Sequence, residues 1–191
     1  MMTEVSVFGK GNMGSAIAGV LSDGGANVEV FDSSSSDVTV NGDIVVLAVP
    51  YSALATIAQQ YGDQLAGKIV VDITNPLDFS TFTLIPAADS SATAELAALL
   101  PESKVVKAFN TNFAATLGAK KVGEATTTVL IAGDDSDAKA ELAAAVTAGG
   151  LNALDAGALG RARELEAIAL TQMALAASEQ IGWTGGFAVV K

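Results

Sequence analysis

The chain has 191 residues and a formal net charge of −11, from 21 acidic and 10 basic side chains. Half of the residues are apolar and 16% are charged, a composition that builds a core and excludes a disordered chain. The acidic balance argues against nucleic acid or anionic membrane as a partner, since both need a basic surface.

The first predicted strand is 5–8, and Gly9-Lys10-Gly11-Asn12-Met13-Gly14 follows it directly. Strand, G-x-G-x-x-G turn and helix in this order open a dinucleotide-binding unit. Gly9 lets the chain turn off the strand, and Gly11 lets the backbone approach a pyrophosphate. Gly14 lets the helix predicted over 14–23 pack against the strand. The start of that helix aims its amide groups and positive dipole end at the phosphates. Further strands are predicted at 28–31, 44–49, 68–73, 104–109 and 127–132, with a weaker one at 151–154. Helices are expected at 51–61, 91–100 and 136–148. Near-continuous apolar runs such as 44–49 suit parallel strands covered on both faces. The alternation predicts an α/β protein with a Rossmann-type, doubly wound, mostly parallel sheet. Residues 75–89, with Pro76 and Pro86, read as a long loop. A last long helix is expected over 160–181, followed by a glycine-punctuated tail that carries Trp183 and Phe187. We therefore expect a dinucleotide-binding domain over 1–155 and a C-terminal helical part over 156–191.

Ligands of open α/β sheets sit outside the carboxyl ends of the strands. The strand ends thus supply a list of cofactor-binding candidates. These are the turn from Gly9 to Gly14, Asp32 with Ser33 and Ser34, Ala48-Val49-Pro50-Tyr51, Asn75-Pro76, and Asn110. Asp32 favours NAD, because a carboxylate there accepts from the ribose 2′-hydroxyl and repels a 2′-phosphate. Lys10 and the serines favour NADP by charge and hydroxyl donation. Asn75, Asn110 and Asn112 offer amides to a nicotinamide or a substrate carbonyl, or else simply cap and turn. Asp134, Asp135 and Asp137 begin a helix and read as capping residues, with no metal expected. Arg161 and Arg163 either pair with Glu164 and Glu166 or reach a phosphate. Trp183 and Phe187 either stack on a ring or belong to core or interface.

Several of these segments resemble the NADP oxidoreductases dependent on coenzyme F-420. They are Phe8 to Gly14, Ala48-Val49-Pro50, Asp72-Ile73-Thr74-Asn75-Pro76 and Lys107-Ala108-Phe109-Asn110-Thr111. The group is also similar to the reductase domain of the Steap metalloreductases. The resemblance implies direct hydride transfer between NADP and a deazaflavin- or flavin-like small-molecule partner. It also implies a C-terminal part that closes the pocket and helps to build a homodimer. Such a transfer depends on holding two rings in contact, so no catalytic side chain is assigned. That agrees with a chain lacking histidine and cysteine, which has no His–carboxylate pair, thiolate or disulfide. The resemblance and Lys10 lean towards NADP; the family usually carries Gly-Ser-Arg where this chain has Asp32-Ser33-Ser34, and that departure leaves NAD open.

Two other readings are carried forward. One is a non-catalytic dinucleotide-sensing module. The other is a β-hydroxyacid-type dehydrogenase, which needs a helical domain with a catalytic lysine; no lysine follows the last strand here before Lys191. With no charged-then-apolar leader and no long apolar run, the expected location is the cytoplasm.

Overall fold

Seven strands form one twisted sheet in the computed structural model, which describes residues 2–35 and 38–190. In chain order they are β1 (Glu4–Phe8), β2 (Asn27–Phe31), β3 (Ile44–Leu47), β4 (Ile69–Asp72), β5 (Lys104–Lys107), β6 (Thr128–Gly133) and β7 (Asn152–Gly157). Their spatial order is β7-β6-β5-β4-β3-β1-β2. The five strands from β2 to β5 run parallel, as the apolar runs predict. The outer pair β6 and β7 is parallel within itself, but β6 meets β5 antiparallel through Ala132 and Gly133. The order reverses between β1 and β3, and this switch point is where a ligand crevice opens.

Alternation along the strands assigns the two faces. Val5, Val7, Ile44, Val46, Ile69 and Val71 pack under α1 (Asn12–Asp23), α4 (Ala114–Ala119) and α5 (Ser136–Ala148). Phe8, Val45, Leu47 and Val70 pack under α2 (Leu54–Leu65) and α3 (Ala92–Leu99). Period-two alternation thus gives every central strand two buried sides. The last helix, α6 (Ala162–Ala177), lies against α3 and the second half of a small hairpin. It is shorter than expected at both ends: a 3-10 turn at Leu159–Arg161 precedes it, and Glu179 at φ +59° turns the chain off just past its end.

The other differences from expectation are local. Residues 75–89 are not a featureless loop, since Leu77–Asp78 pairs with Thr83–Leu84 in an antiparallel hairpin. A second hairpin joins Lys121–Val122 to Ala125–Thr126, and α4 before it lies where no helix is predicted. The last strand runs over Asn152–Gly157, three residues beyond the end expected at 154. Asp135 caps α5 by accepting from the Ala138 amide at 2.8 Å, and Asp137 lies in the helix's first turn. Among the described residues no His, Cys, Asp and Glu group is placed to hold a metal. No helix there is long and apolar enough to cross a membrane.

Candidate functional site

The glycine turn divides its work among three residues. Gly9 sits at φ +114°, and a Cβ there would stand 2.0 Å from the Ala48 carbonyl oxygen. A Cβ on Gly14 would stand 2.0 Å from the carbonyl oxygen of Gly9, so α1 approaches the turn as closely as glycine permits. Gly11 differs, because nothing lies within 4 Å of a Cβ built on it. It is also the N-cap of α1, and no side chain caps that helix start. Open space before uncapped amides is the geometry that receives an anion.

At the end of β2, Lys10 and Asp32 form an ion pair of 3.0 Å. Sequence sets the two against each other as signals for different cofactors; the fold makes them partners. Asp32 also accepts from the Ser34 amide and hydroxyl and from the Ser35 hydroxyl. The Ser34 hydroxyl, followed by Lys10, holds the Asp32 carboxyl well below the usual carboxylate range. Ser33 is exposed beside them, whereas Ser36, the last of four consecutive serines, lies outside the described residues.

Two clefts run along the carboxyl edge of the sheet. The first, about 600 Å³, lies between Gly11–Gly14, the segment 48–52 after β3, residues 73–75, and the hairpin side chains Leu77, Phe79 and Ile85. Tyr51 lines it and donates its hydroxyl to Glu95, a bond that, with burial, pushes the phenol up to about 12. The second cleft, about 440 Å³, extends from the same edge to α6, where Ala169, Gln172 and Met173 face it. Asn12, Met13, Ile73 and Asn75 line both.

The amides after β4 and β5 clasp each other. Asn75 Nδ2 donates to the Asn110 carbonyl at 2.9 Å, and Asn110 Nδ2 donates to Asn75 Oδ1 at 3.0 Å. Phe109, fully buried at φ +62°, makes the turn that brings Asn110 to this clasp. A non-glycine residue held there is strained and persists only where its surroundings enforce it. The second cleft also gains Asn112, whose Nδ2 donates to the Thr128 carbonyl, and Phe113, whose ring lies 5.0 Å from that of Trp183. Gln172 is buried, donates to the Thr111 carbonyl and accepts from the Phe187 amide, so it fastens the C-terminal tail beside the cleft.

Most predicted residues thus meet in one place, with exceptions. Pro76 is buried and lines neither cleft; its carbonyl accepts from the Ile85 amide and closes the hairpin. Arg161 pairs with Glu164 at 3.0 Å, but Arg163 turns to the carbonyls of Ala87 and Ser90. Glu166 is buried instead with Lys107 and Asp72, a cluster that sequence reasoning misses. Its only sequence signal is an aspartate and a lysine that directly follow the apolar runs Ile69-Val70-Val71 and Val105-Val106. Lys107 Nζ reaches Asp72 Oδ2 at 2.9 Å, Glu166 Oε1 at 3.0 Å and the Thr74 carbonyl at 2.6 Å. Burial pushes the Glu166 carboxyl up against the opposing pull of Lys107.

Sheet order, glycine turn and strand-end clefts together define a Rossmann-type dinucleotide-binding protein. The sequence signature described as NADP oxidoreductase, coenzyme F-420-dependent, matches residues 24–76. The F-420-dependent NADP reductase of Methanocaldococcus jannaschii is 32% identical over 157 residues, covering 78% of this chain and 69% of that protein. The chain belongs to this family of oxidoreductases. It is also 40% identical over 128 residues to Metalloreductase STEAP3 of Rattus norvegicus; the match takes in 66% of this chain and only 24% of that protein's length. A crystal structure from an Arthrobacter species, described as a candidate F-420-dependent NADP reductase, superimposes with a TM-score of 0.86 at 26% identity. It covers 99% of this chain and 100% of that one.

Proposed function

We propose that the chain transfers a hydride between a nicotinamide dinucleotide, NADP in preference to NAD, and a flavin- or deazaflavin-like ring. The observation that carries this reading is the edge shared by the two clefts, made of Asn12, Met13, Ile73 and Asn75. A ring in either cleft would meet one in the other across it. The open face of Gly11 and the uncapped start of α1 suit the pyrophosphate. The first cleft then takes the nicotinamide half between the turn and residues 48–51. The second takes the partner ring against Met173 and the Phe113–Trp183 pair.

When bound, reduced dinucleotide supplies the hydride, and a solvent proton completes reduction of the ring. The chain's own residues contribute placement. Asn75 and Asn110 fix the shared edge, and the apolar walls exclude water, so proximity lowers most of the barrier. Lys10, 56% exposed, is free to exchange Asp32 for a 2′-phosphate, with the hydroxyls of Ser33 and Ser34 alongside. The same reading includes a homodimer, supported by exposed Ile168, Phe187 and Val189 around one further hollow.

Titration with NADPH and NADH, followed by nicotinamide fluorescence, tests the first half. Tight binding of at least one is expected, and only millimolar affinity for both would overturn it. Oxidation of the bound dinucleotide by F-420, FMN, riboflavin or ferric chelates tests the second half. Tight binding with no turnover by any of them would favour the dinucleotide-sensing reading.

A further inference from the structure

We infer that Glu166 is a positioning residue that sets the width of the second cleft by tying α6 to the ends of β4 and β5 through Lys107. This rests on the reading of that cleft as the seat of the partner ring. Asp72 and Lys107 close neighbouring parallel strands and stand opposite each other in register. Around them the bonds converge from every side of the site. Asp72 Oδ1 accepts from the Thr74 amide at 2.8 Å, and Lys107 donates to the Thr74 carbonyl, so both backbone groups of Thr74 are held. The next residue is Asn75, on the edge shared by the clefts. Thr93 of α3 donates to Asp72 Oδ2, and Glu166 Oε1 accepts from the Ala92 amide at the start of α3.

The three charged side chains are fully buried, which is a poor way to gain stability. Lys107 and Asp72 already balance each other, so Glu166 adds a carboxylate that the pair does not need. Its Oε2 has no hydrogen-bond partner. What Glu166 adds is a connection. It lies one helical turn before Ala169 and two before Met173, both of which face the second cleft. Elsewhere α6 buries Ala162, Leu165, Ala169, Gln172 and Ala176, and Gln172 ties its second half to the Thr111 carbonyl. Glu166 is the buried polar tie of its first half, and it alone of the two reaches the ends of β4 and β5.

The test uses the full chain and three variants. Glu166→Leu removes the tie and leaves Lys107 paired with Asp72, so the charge stays balanced and the protein should fold. Glu166→Asp keeps the charge but shortens the reach, and it replaces the leucine variant if that one fails to fold. Glu166→Gln keeps both contacts and should match the parent in quenching and KM. Trp183 is the only tryptophan, so acrylamide quenching of its emission reports the second cleft without reference to any substrate. Expected for Glu166→Leu are a raised quenching constant, about a tenfold rise in KM for the accepted ring, and NADPH affinity within about twofold of the parent. Unchanged quenching and KM would overturn the assignment, as would an equal loss of NADPH affinity. If quenching rises while no ring is reduced even by the parent, the tie stands and the proposed reaction falls.

Discussion

Two lysine–aspartate pairs serve the carboxyl edge of the sheet, and water separates their roles. Lys10 and Asp32 meet at 3.0 Å with side chains 56% and 30% exposed. Lys107 and Asp72 meet at 2.9 Å with no exposure at all. In water such a pair is worth about 0–1 kcal/mol and is screened by salt, so a ligand can take one partner from the other. In the core, losing one partner strands a charge that nothing else solvates, so the pair is permanent. The same two side chains therefore make an exchangeable latch at the end of β2 and a fixed brace at the ends of β4 and β5.

The comparison breaks most visibly at the brace. Lys107→Met leaves Asp72 and Glu166 buried without a cation, and the expected loss of stability is about 3–5 kcal/mol. Urea denaturation would show it as a lower midpoint at an unchanged slope. Lys10→Met, measured in the same way, should lose no more than about 1 kcal/mol. Equal losses would mean that burial does not distinguish the two pairs.

The glycine turn offers a similar contrast within six residues. Gly9→Ala places a Cβ 2.0 Å from the Ala48 carbonyl at φ +114°, and the backbone strain alone should remove about 1–3 kcal/mol of stability. Gly11→Val meets no protein atom within 4 Å, so its effect on folding should stay near the 1 kcal/mol of a poorer N-cap, roughly. Its effect on NADPH should be larger, a weakening of about a hundredfold, or ~2.7 kcal/mol. If Gly11→Val unfolds the protein yet Gly9→Ala does not, the division of labour is reversed.

These contrasts also mark what the sequence makes legible. Glycine turn, strand ends and capping aspartates are contiguous signals, and each carries its local geometry with it. The direction of β6 is not legible, because period-two alternation is the same for a strand run either way. The two hairpins have arms of two residues, and α4 has six, too short for any period to show. Lys107, Asp72 and Glu166 come from three distant elements, so only the folded chain reveals them as one cluster. Glu166 looks like a partner for an arginine on its own helix. Only the packing of α6 on α3 and the strand ends turns it inward.

The two environments should also titrate in opposite directions. Asp32 is held below its ordinary value of 3.8 by Ser34 and then Lys10. Its stabilising contribution is present above that value and lost as pH falls through the folded-state one. Glu166 is raised above its ordinary value of 4.5 by burial. Its folded form binds the proton more tightly, so stability is lost as pH rises from 4.5 through the folded-state value. Thermal unfolding of the parent and Glu166→Gln across that range should show the parent losing ground with rising pH. A constant difference between them would remove Glu166 from the titrating groups.

The smallest expected effect sharpens the latch. If a 2′-phosphate replaces Asp32 on Lys10, then Lys10→Met should weaken NADPH about tenfold, or ~1.4 kcal/mol, and NADH by less than about twofold. Asp32→Asn should move the ratio the other way, since it frees Lys10 and removes a charge facing the phosphate. Added salt should shrink the NADPH advantage of the parent and leave that of Lys10→Met almost unchanged. Isothermal titration of the three proteins with each dinucleotide at two ionic strengths reads these affinities. A loss shared equally by both dinucleotides would make Lys10 a general anchor for the pyrophosphate and return cofactor choice to Asp32, whose carboxylate would then favour NAD.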